Sequence, residues 1–261
     1  MSVYASPVSI LITGATGGIG KALALAYAAP ARTLVLHGRD AVKLGALKLA
    51  CEQRGAQVIL LVVDLMDVEK LMSSLDAVCR GAAVDLVIVN AGTTNSPGAD
   101  GEAWADIQRV IDINLRAAMA TIAGVLPHLR DRRHGQVALI SSLSAYAGLP
   151  VTPAYNASKA ALKIYGESLR GWLGPQGIAV NVVLPGFVET AMSAKFPAAK
   201  PFLLSPESAA LKIKSGLTRN QARISFPLPL AFGMWALSVL PVAWSQWILR
   251  KMGFADIRHG G

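Results

Sequence analysis

The chain has 261 residues, of which 53% are hydrophobic and 16% are charged, and its mean hydropathy is +0.45. A chain this long and apolar can bury a large core, which excludes global disorder. Its two cysteines, Cys51 and Cys79, exclude a disulfide scaffold and favour a reducing cytoplasm. No basic run precedes an apolar stretch at the N-terminus, so we expect no secretory signal.

The net charge of +9 is concentrated in the C-terminal part of the chain. Residues 1–189 hold 16 Lys and Arg against 14 Asp and Glu, a balance of +2, whereas residues 190–261 hold 9 against 2, a balance of +7. The sequence has no nucleic-acid recognition motif and does not interleave basic with aromatic residues. The charge therefore does not indicate nucleic-acid binding.

Short apolar runs alternate with longer stretches of helical periodicity, which predicts successive βαβ units. The predicted strands are 8–13, 33–37, 58–63, 86–90, 136–141, 178–184 and 222–226. The predicted helices are 19–29, 41–54, 68–78, 103–130, 154–173 and one that begins near Ser205. Right-handed crossovers then predict an α/β protein with a single-domain Rossmann fold, a doubly wound parallel sheet of about seven strands with helices on both faces. Its ligand crevice is expected beyond the carboxyl ends of the strands.

A glycine-rich turn joins the first strand to the first helix. Because glycines carry no Cβ, the backbone N–H groups of such a turn can approach a pyrophosphate at the positive end of a helix. A tight connection without a ligand is the alternative, but the place after strand one favours a dinucleotide site. The candidate residues are Gly14, Thr16, Gly18, Ile19 and Gly20.

The second strand ends in His37-Gly38-Arg39-Asp40, with glycine where an NAD-binding chain would carry an acid. An arginine at this place accommodates a ribose 2′-phosphate, so the sequence favours NADP(H) over NAD(H), with Arg39 as the phosphate ligand. The alternative is that Asp40 caps the next helix and Arg39 is solvated.

Two later strand ends also suggest cofactor contacts. Asp64, followed by Leu65, could accept a hydrogen bond from an adenine amino group, although an Asp before a helix is often a cap. The small residues of Asn90-Ala91-Gly92 leave room for a ribose against the backbone.

Ser142, Tyr155 and Lys159 form the most informative set. Tyr155 and Lys159 stand four residues apart on one helix, so they share a face. A nearby ammonium is expected to lower the pKa of a phenol and to make it a better general acid or base. Ser142, at the end of the fifth strand, could hold a substrate carbonyl in the same crevice.

Together these motifs resemble the short-chain dehydrogenase/reductase family from Thr13 to Thr190. The resemblance implies a catalytic tetrad of Asn114, Ser142, Tyr155 and Lys159, in which Lys159 also binds the nicotinamide ribose. Asn114 would hold a water that connects Lys159 to solvent, or would bond a backbone carbonyl at a helix kink, or both. The resemblance also implies that the turn at Gly14, Gly18 and Gly20 binds the cofactor and that Asn90-Ala91-Gly92 lies on the ribose side. It further implies a nicotinamide site that includes Pro185, Gly186, Val188 and Thr190.

The expected function is therefore hydride transfer between a nicotinamide and a ketone, aldehyde or alcohol, with Tyr155 moving the proton and no metal site. A non-catalytic NADP-binding sensor, or a membrane-associated interaction protein of the same fold, is the alternative. The resemblance also implies a homodimer or homotetramer that uses the long helices 103–130 and 154–173. Specificity is expected from the loop 191–204 and from the C-terminal residues.

The C-terminal part departs from the family pattern, since no Val-Asp-Gly-Gly turn follows a last strand. We expect a catalytic domain over 1–226 and a helical extension over 227–261. Residues 224–249 carry no charge, but Pro227, Pro229 and Pro241 divide them into pieces that are too short to span a membrane. Two alternatives remain open for this extension. They are compatible with each other, and both are compatible with a hydrophobic substrate. One is a pair of amphipathic helices that places residues 212–251 on an anionic, cytoplasmic membrane surface. The other is helices that pack on the domain or a partner subunit and wall the substrate cleft.

Overall fold

The computed structural model describes residues 6–95, 101–194, 196 and 199–254, and its centre is a parallel β-sheet. The strands are β1 (Ser9–Ile12), β2 (Thr33–Gly38), β3 (Gln57–Val62), β4 (Leu86–Val89), β5 (Gly135–Ile140), β6 (Ile178–Pro185) and β7 (Arg223–Phe226). Their order in the sheet is β3-β2-β1-β4-β5-β6-β7, and every pair is parallel. The predicted fold class is confirmed, and each predicted strand end lies within one residue of the observed one.

Helices cover both faces of this sheet. They are α1 (Gly18–Tyr27), α2 (Ala41–Glu52), α3 (Val68–Gly81), α4 (Trp104–Ile111), α5 (Ala117–Arg132), α6 (Pro153–Leu173), α7 (Ala191–Ala194), α8 (Pro206–Thr218), α9 (Leu228–Val239) and α10 (Val242–Lys251). One apolar cluster joins the sheet to α1, α2 and α8, and a second joins its other face to α3, α5 and α6. Burial on both faces explains why β1, β4, β5 and β6 are almost uninterrupted apolar runs.

The predicted helix 103–130 is interrupted. Between α4 and α5, Asp112–Arg116 form a π-helical turn with Asn114 near its centre. Such turns insert one extra residue into a helix and often occur at functional sites. Taken together, α4, the π-helical turn and α5 are long and apolar enough to cross a membrane by length and composition, but 61% of their most apolar window is buried in the protein.

The segment expected as a loop at 191–204 contains a short helix, and its residues 195, 197 and 198 lie outside the described residues. Its first residues form the short helix α7, and Thr190 caps it through a hydrogen bond from the Ser193 N–H to the Thr190 hydroxyl at 3.1 Å. A bridge between Val188 and Leu204 closes the base of this segment. The loop therefore begins and ends beside β6.

Residues 228–251 form two helices separated at Pro241, as the prolines predicted. Ala231 and Met234 of α9 and Leu249 of α10 are buried in a third apolar cluster with Leu143 and other residues near the end of β5. Packing against the domain is thus observed. The expectation that both helices are amphipathic is wrong for α9, because its outer side carries apolar residues too.

Candidate active site

A cleft of about 440 Å³ lies at the carboxyl ends of the parallel strands. Of the residues predicted to form the site, it brings the following together: Gly14, Thr16, Gly18, Ile19, Arg39, Asp64, Leu65, Asn90, Ala91, Gly92, Ser142, Tyr155, Lys159, Pro185, Gly186, Val188 and Thr190. Two predicted residues do not line it. Gly20 lies behind the turn in α1, and Asn114 lies behind Gly92.

The glycine-rich turn is held in a shape that a side chain would prevent. Gly14 has φ +62°, and a Cβ there would lie 2.8 Å from the Ala91 Cα. Asn90 clamps the turn, because its Nδ2 donates to the backbone oxygens of Thr13 at 3.0 Å and Gly14 at 3.1 Å. The Thr13 hydroxyl in turn accepts from the backbone N–H groups of Asn90 and Ala91. Asn90 therefore builds the turn that faces the cleft.

His37 is a support for this turn that sequence reasoning missed. It lies next to the last residue of the apolar β2, and its buried ring donates from Nε2 to the Val63 oxygen at 3.1 Å. Its Nδ1 accepts the Gly14 N–H at 3.3 Å. Burial lowers the pKa of His37, which favours the neutral ring that these two hydrogen bonds require. Its position just before Gly38 and Arg39 is the signal that could have drawn attention to it.

A dinucleotide fits the turn on two observations. The first turn of α1 opens toward the cleft with no side-chain cap and no acidic residue, so its N–H groups stay available to an anion. In addition, a Cβ at Gly14 would collide with the backbone of Ala91, so the turn keeps its shape only with glycine at this position. Thr16, Gly18 and Ile19 are the residues that would surround a pyrophosphate there.

Arg39 lies at the end of β2, exposed and lining the cleft. It makes no hydrogen bond or ion pair with the described residues. Asp40 is the N-cap of α2 and accepts the Lys43 N–H at 3.0 Å, so its predicted capping role is confirmed. Capping occupies Asp40 and leaves Arg39 free to meet a ligand.

Asp64 and Leu65 line the cleft at the end of β3. Asp64 Oδ1 accepts the Met66 N–H at 3.0 Å, which is a local turn, and the N-cap of α3 is Asp67. The other Asp64 oxygen has no such bond and can accept one from a ligand.

The Ser142 hydroxyl is oriented by Ser144. Ser142 Oγ accepts the backbone N–H of Ser144 at 3.1 Å and lies 3.0 Å from its Oγ. A further hydrogen bond joins Ser142 to Tyr155. An oxygen that accepts from an N–H keeps its own proton to donate, which suits it to hold a carbonyl oxygen. Ser144 is buried and lines the cleft, and the prediction did not include it.

Lys159 is almost fully buried, and its Nζ donates to the Ile140 oxygen at 2.8 Å. The Ser141 hydroxyl donates to the Lys159 oxygen at 2.7 Å, which fixes α6 against the end of β5. Lys159 Nζ lies 5.7 Å from the centre of the Tyr155 ring. Burial lowers the pKa of Lys159 to about 8.

The expected lowering of the Tyr155 pKa by Lys159 is not seen. Burial raises the pKa of Tyr155, and the hydrogen bond with Ser142 opposes that rise. Burial is the largest cause of the shift, and Lys159 Nζ donates to the Ile140 oxygen. Tyr155 is therefore a protonated phenol at neutral pH in this arrangement.

Asn114 connects three segments around Gly92. Its Oδ1 accepts the Thr93 N–H at 2.7 Å, and its Nδ2 donates to the Thr93 oxygen at 2.9 Å and to Ser158 Oγ at 3.0 Å. A Cβ on Gly92 would stand 3.2 Å from Asn114 Oδ1 and 3.4 Å from Lys159 Nζ. The expected bond of Asn114 to a backbone carbonyl at a helix irregularity is confirmed.

The far end of the cleft is apolar, and the C-terminal residues help to build it. Its lining there consists of Leu143, Leu149, Phe187, Phe196, Leu230, Met234 and Phe254. The rings of Phe187 and Phe196 lie 5.1 Å apart, and those of Phe196 and Phe254 6.2 Å apart. This end can bury an apolar group next to Ser142 and Tyr155. Of the two C-terminal helices, α9 lines the cleft through Leu230 and Met234, and Phe254 lines it beyond the end of α10.

Comparison with known proteins agrees with this geometry. Residues 9–201 match the short chain dehydrogenase family. An uncharacterized oxidoreductase of Myxococcus xanthus is 33% identical over 232 residues, 88% of this chain and 92% of that protein. A fatty acyl-CoA reductase of Acinetobacter baylyi is 31% identical over 225 residues, 82% of this chain and 74% of that protein. A short-chain dehydrogenase from Sphingobium yanoikuyae, solved with NADPH, superposes with a TM-score of 0.78 and 27% identity over 97% of each chain.

Proposed function

Since this chain belongs to the short-chain dehydrogenase family, we propose that it interconverts an apolar ketone or aldehyde with its alcohol, using NADP(H). The family relation identifies an oxidoreductase of CH–OH groups; the cofactor preference, the substrate class and the residue roles are our proposal. The observation that carries it is the meeting of Ser142, Tyr155 and Lys159 opposite the glycine-rich turn in one cleft.

When bound, a nicotinamide dinucleotide supplies or accepts the hydride. Tyr155 gives its proton to the substrate oxygen during reduction and takes it back during oxidation. Ser142, held by Ser144, donates a hydrogen bond to that oxygen and favours the negative charge that develops on it. Burial raises the pKa of Tyr155, so the phenol carries the proton that it gives to the substrate oxygen during reduction.

Lys159 and Asn114 position the reacting groups. Lys159 brings a cation near the Tyr155 ring and the Gly92 backbone, where a ribose can lie. Asn114 holds Thr93 and Ser158 and so keeps the end of β4 against α6. The roles of Val188 and Thr190 on a carboxamide are carried over from the family resemblance.

The apolar end of the cleft supports a hydrophobic substrate. Among the described residues at this end, the lining consists of apolar side chains, including the rings of Phe187, Phe196 and Phe254. The similarity to a fatty acyl-CoA reductase supports the same substrate class. We assign this protein to the cytoplasm, because both cysteines are buried free thiols.

We also infer a homodimer or homotetramer that forms through α4, α5 and α6, where the apolar side chains of Ile164 and Trp172 are exposed.

A panel of ketones and aldehydes of increasing chain length tests the activity. With NADPH, purified protein should oxidise the cofactor, followed by its absorbance, and the rate should rise with the apolar size of the carbonyl compound. Absence of turnover across the panel, with NADPH bound normally, would favour the alternative of a non-catalytic sensor.

Arg39 tests the cofactor preference. Replacing Arg39 with Asp should weaken NADP(H) binding by at least about tenfold while changing NAD(H) binding little, because a charge-assisted hydrogen bond to phosphate is lost and a repulsion is added. Lys43→Asp, on the exposed start of α2, is the control. Equal losses for both cofactors would contradict the phosphate assignment.

A further inference from the structure

The outer side of α9 exposes a stripe of large apolar side chains. Leu228, Phe232, Trp235 and Val239 follow one another at intervals of four, three and four residues, so they lie on one side of the helix. Each is exposed over 48–74% of its surface. The rings of Phe232 and Trp235 lie 5.7 Å apart, which makes the stripe continuous.

Helix α10 adds two tryptophans and a cation. Trp244, Trp247 and Lys251 follow at intervals of three and four residues, on the side opposite the buried Leu249. Trp244 and Trp247 are exposed over 66% and 61% of their surfaces. We call the four apolar residues of α9 together with Trp244 and Trp247 the outer surface.

The outer surface needs an apolar environment of its own. The inner side of α9 is already in use, since Ala231 and Met234 pack beneath it and Met234 lines the cleft. A helix that is apolar on all sides is stable either inside a protein or in contact with lipid. Exposed apolar patches on a folded protein mark contact sites.

The charge around the outer surface selects the partner. From residue 208 to residue 255 the sequence has no Asp or Glu. Lys214 donates to the Ala26 oxygen and Arg223 pairs with Glu167, so neither is free to meet a partner. Arg250 and Lys251 are exposed at the end of α10 and have no ion pair within the described residues.

A second copy of the chain fits this surface poorly. A two-fold contact would bring together two copies of the same basic segment, and neither copy has an acidic residue between 208 and 255 to compensate the charge of the other. An anionic bilayer instead offers hydrocarbon to the apolar stripe, an interface to tryptophan and phosphates to Arg250 and Lys251.

We propose that α9 and α10 dock the protein on an anionic lipid bilayer through the outer surface. Trp235, Trp244 and Trp247 enter the headgroup region, and Arg250 and Lys251 bind lipid phosphates. This narrows the expected contact from residues 212–251 to these two helices. The inference does not rest on the proposed function. If the protein docks in this way, only helix α9 separates the apolar end of the cleft from the bilayer.

Vesicle sedimentation tests the docking. Full-length protein is mixed with vesicles of phosphatidylcholine containing phosphatidylglycerol, and with vesicles of phosphatidylcholine alone. Wild type should bind the anionic vesicles, and Phe232→Ser with Trp235→Ser should reduce the partition by about tenfold or more, because the two large apolar side chains together contribute at least that factor when they leave water. Arg250→Gln with Lys251→Gln should remove the preference for anionic vesicles.

Val42→Ser with Leu49→Ser is the matched control, since both residues are exposed apolar side chains on α2, away from the outer surface. This variant should bind vesicles like wild type. The proposal is overturned if wild type does not bind anionic vesicles, or if the Phe232–Trp235 variant and the control bind equally. It is also overturned if the Phe232–Trp235 variant instead lowers the oligomeric state in sedimentation, since the surface would then join two copies.

Discussion

At the scale of single residues, the direction of the Ser142 hydroxyl decides how a carbonyl oxygen is held. Two groups of Ser144 reach Ser142 Oγ, its N–H at 3.1 Å and its hydroxyl at 3.0 Å. The N–H fixes one lone pair, and the hydroxyl restricts the rotation of the Ser142 proton. In the proposed reaction, Ser144 is therefore a positioning residue for the step assigned to Ser142 and Tyr155.

Replacing Ser144 with Ala should lower kcat for carbonyl reduction by about two- to tenfold, because one hydrogen bond of about 0.5–1.5 kcal/mol is lost while the backbone N–H remains. The Kd for NADPH should not change. Steady-state kinetics and a cofactor titration measure both values. Ser73→Ala, which removes an exposed serine hydrogen bond to the Lys70 oxygen, is the control. An unchanged kcat in the Ser144 variant would assign its hydroxyl a purely structural role.

The sequence predicts some of these residues and not others, for a physical reason. Tyr155 and Lys159 are recognisable because helical spacing alone brings them to one face. His37 supports Gly14 across 23 residues of chain, and that contact exists only once β2 lies beside β1. The state of Tyr155 also depends on packing, since burial raises its pKa and Ser142 opposes that rise.

Among the secondary-structure elements, α9 has two sides in different environments. Its inner side closes the apolar end of the cleft through Leu230 and Met234, and its outer side faces solvent. Hydrophobic periodicity could not separate these sides, because every side of α9 is apolar. The π-helical turn at Asp112–Arg116 was equally hidden, since Asn114 bonds to Thr93 and Ser158 from other elements.

Met234→Ala should widen the apolar end of the cleft and shift the preference of kcat/KM toward bulkier ketones. The variant should lose about 2–3 kcal/mol of unfolding free energy, because the side chain is buried. A series of ketones of increasing size measures the preference, and denaturant titration measures the stability. Leu237→Ala, one turn further along α9 in the same apolar cluster but outside the cleft lining, is the control. If both variants shift the preference equally, α9 does not contact the substrate.

At the scale of the whole molecule, the net charge of +9 separates into a nearly neutral catalytic body and a basic C-terminal part. The alternating strands and helices predicted the parallel sheet and its crevice, because buried parallel strands and crossover helices have distinct sequence patterns. How the C-terminal helices pack was not predictable, because the uncharged run 224–249 fits both a buried and an exposed position. The two positions occur together, on opposite sides of one helix.

Tyr155→Phe tests whether Tyr155 moves the proton in an NADP(H)-dependent carbonyl reaction. NADPH affinity, measured by fluorescence titration, is compared with the turnover of the best carbonyl substrate of the panel. The variant should bind NADPH as wild type does and lose turnover by at least about a hundredfold, the usual contribution of a general acid. Turnover by the variant at the wild-type rate would mean that another group moves the proton.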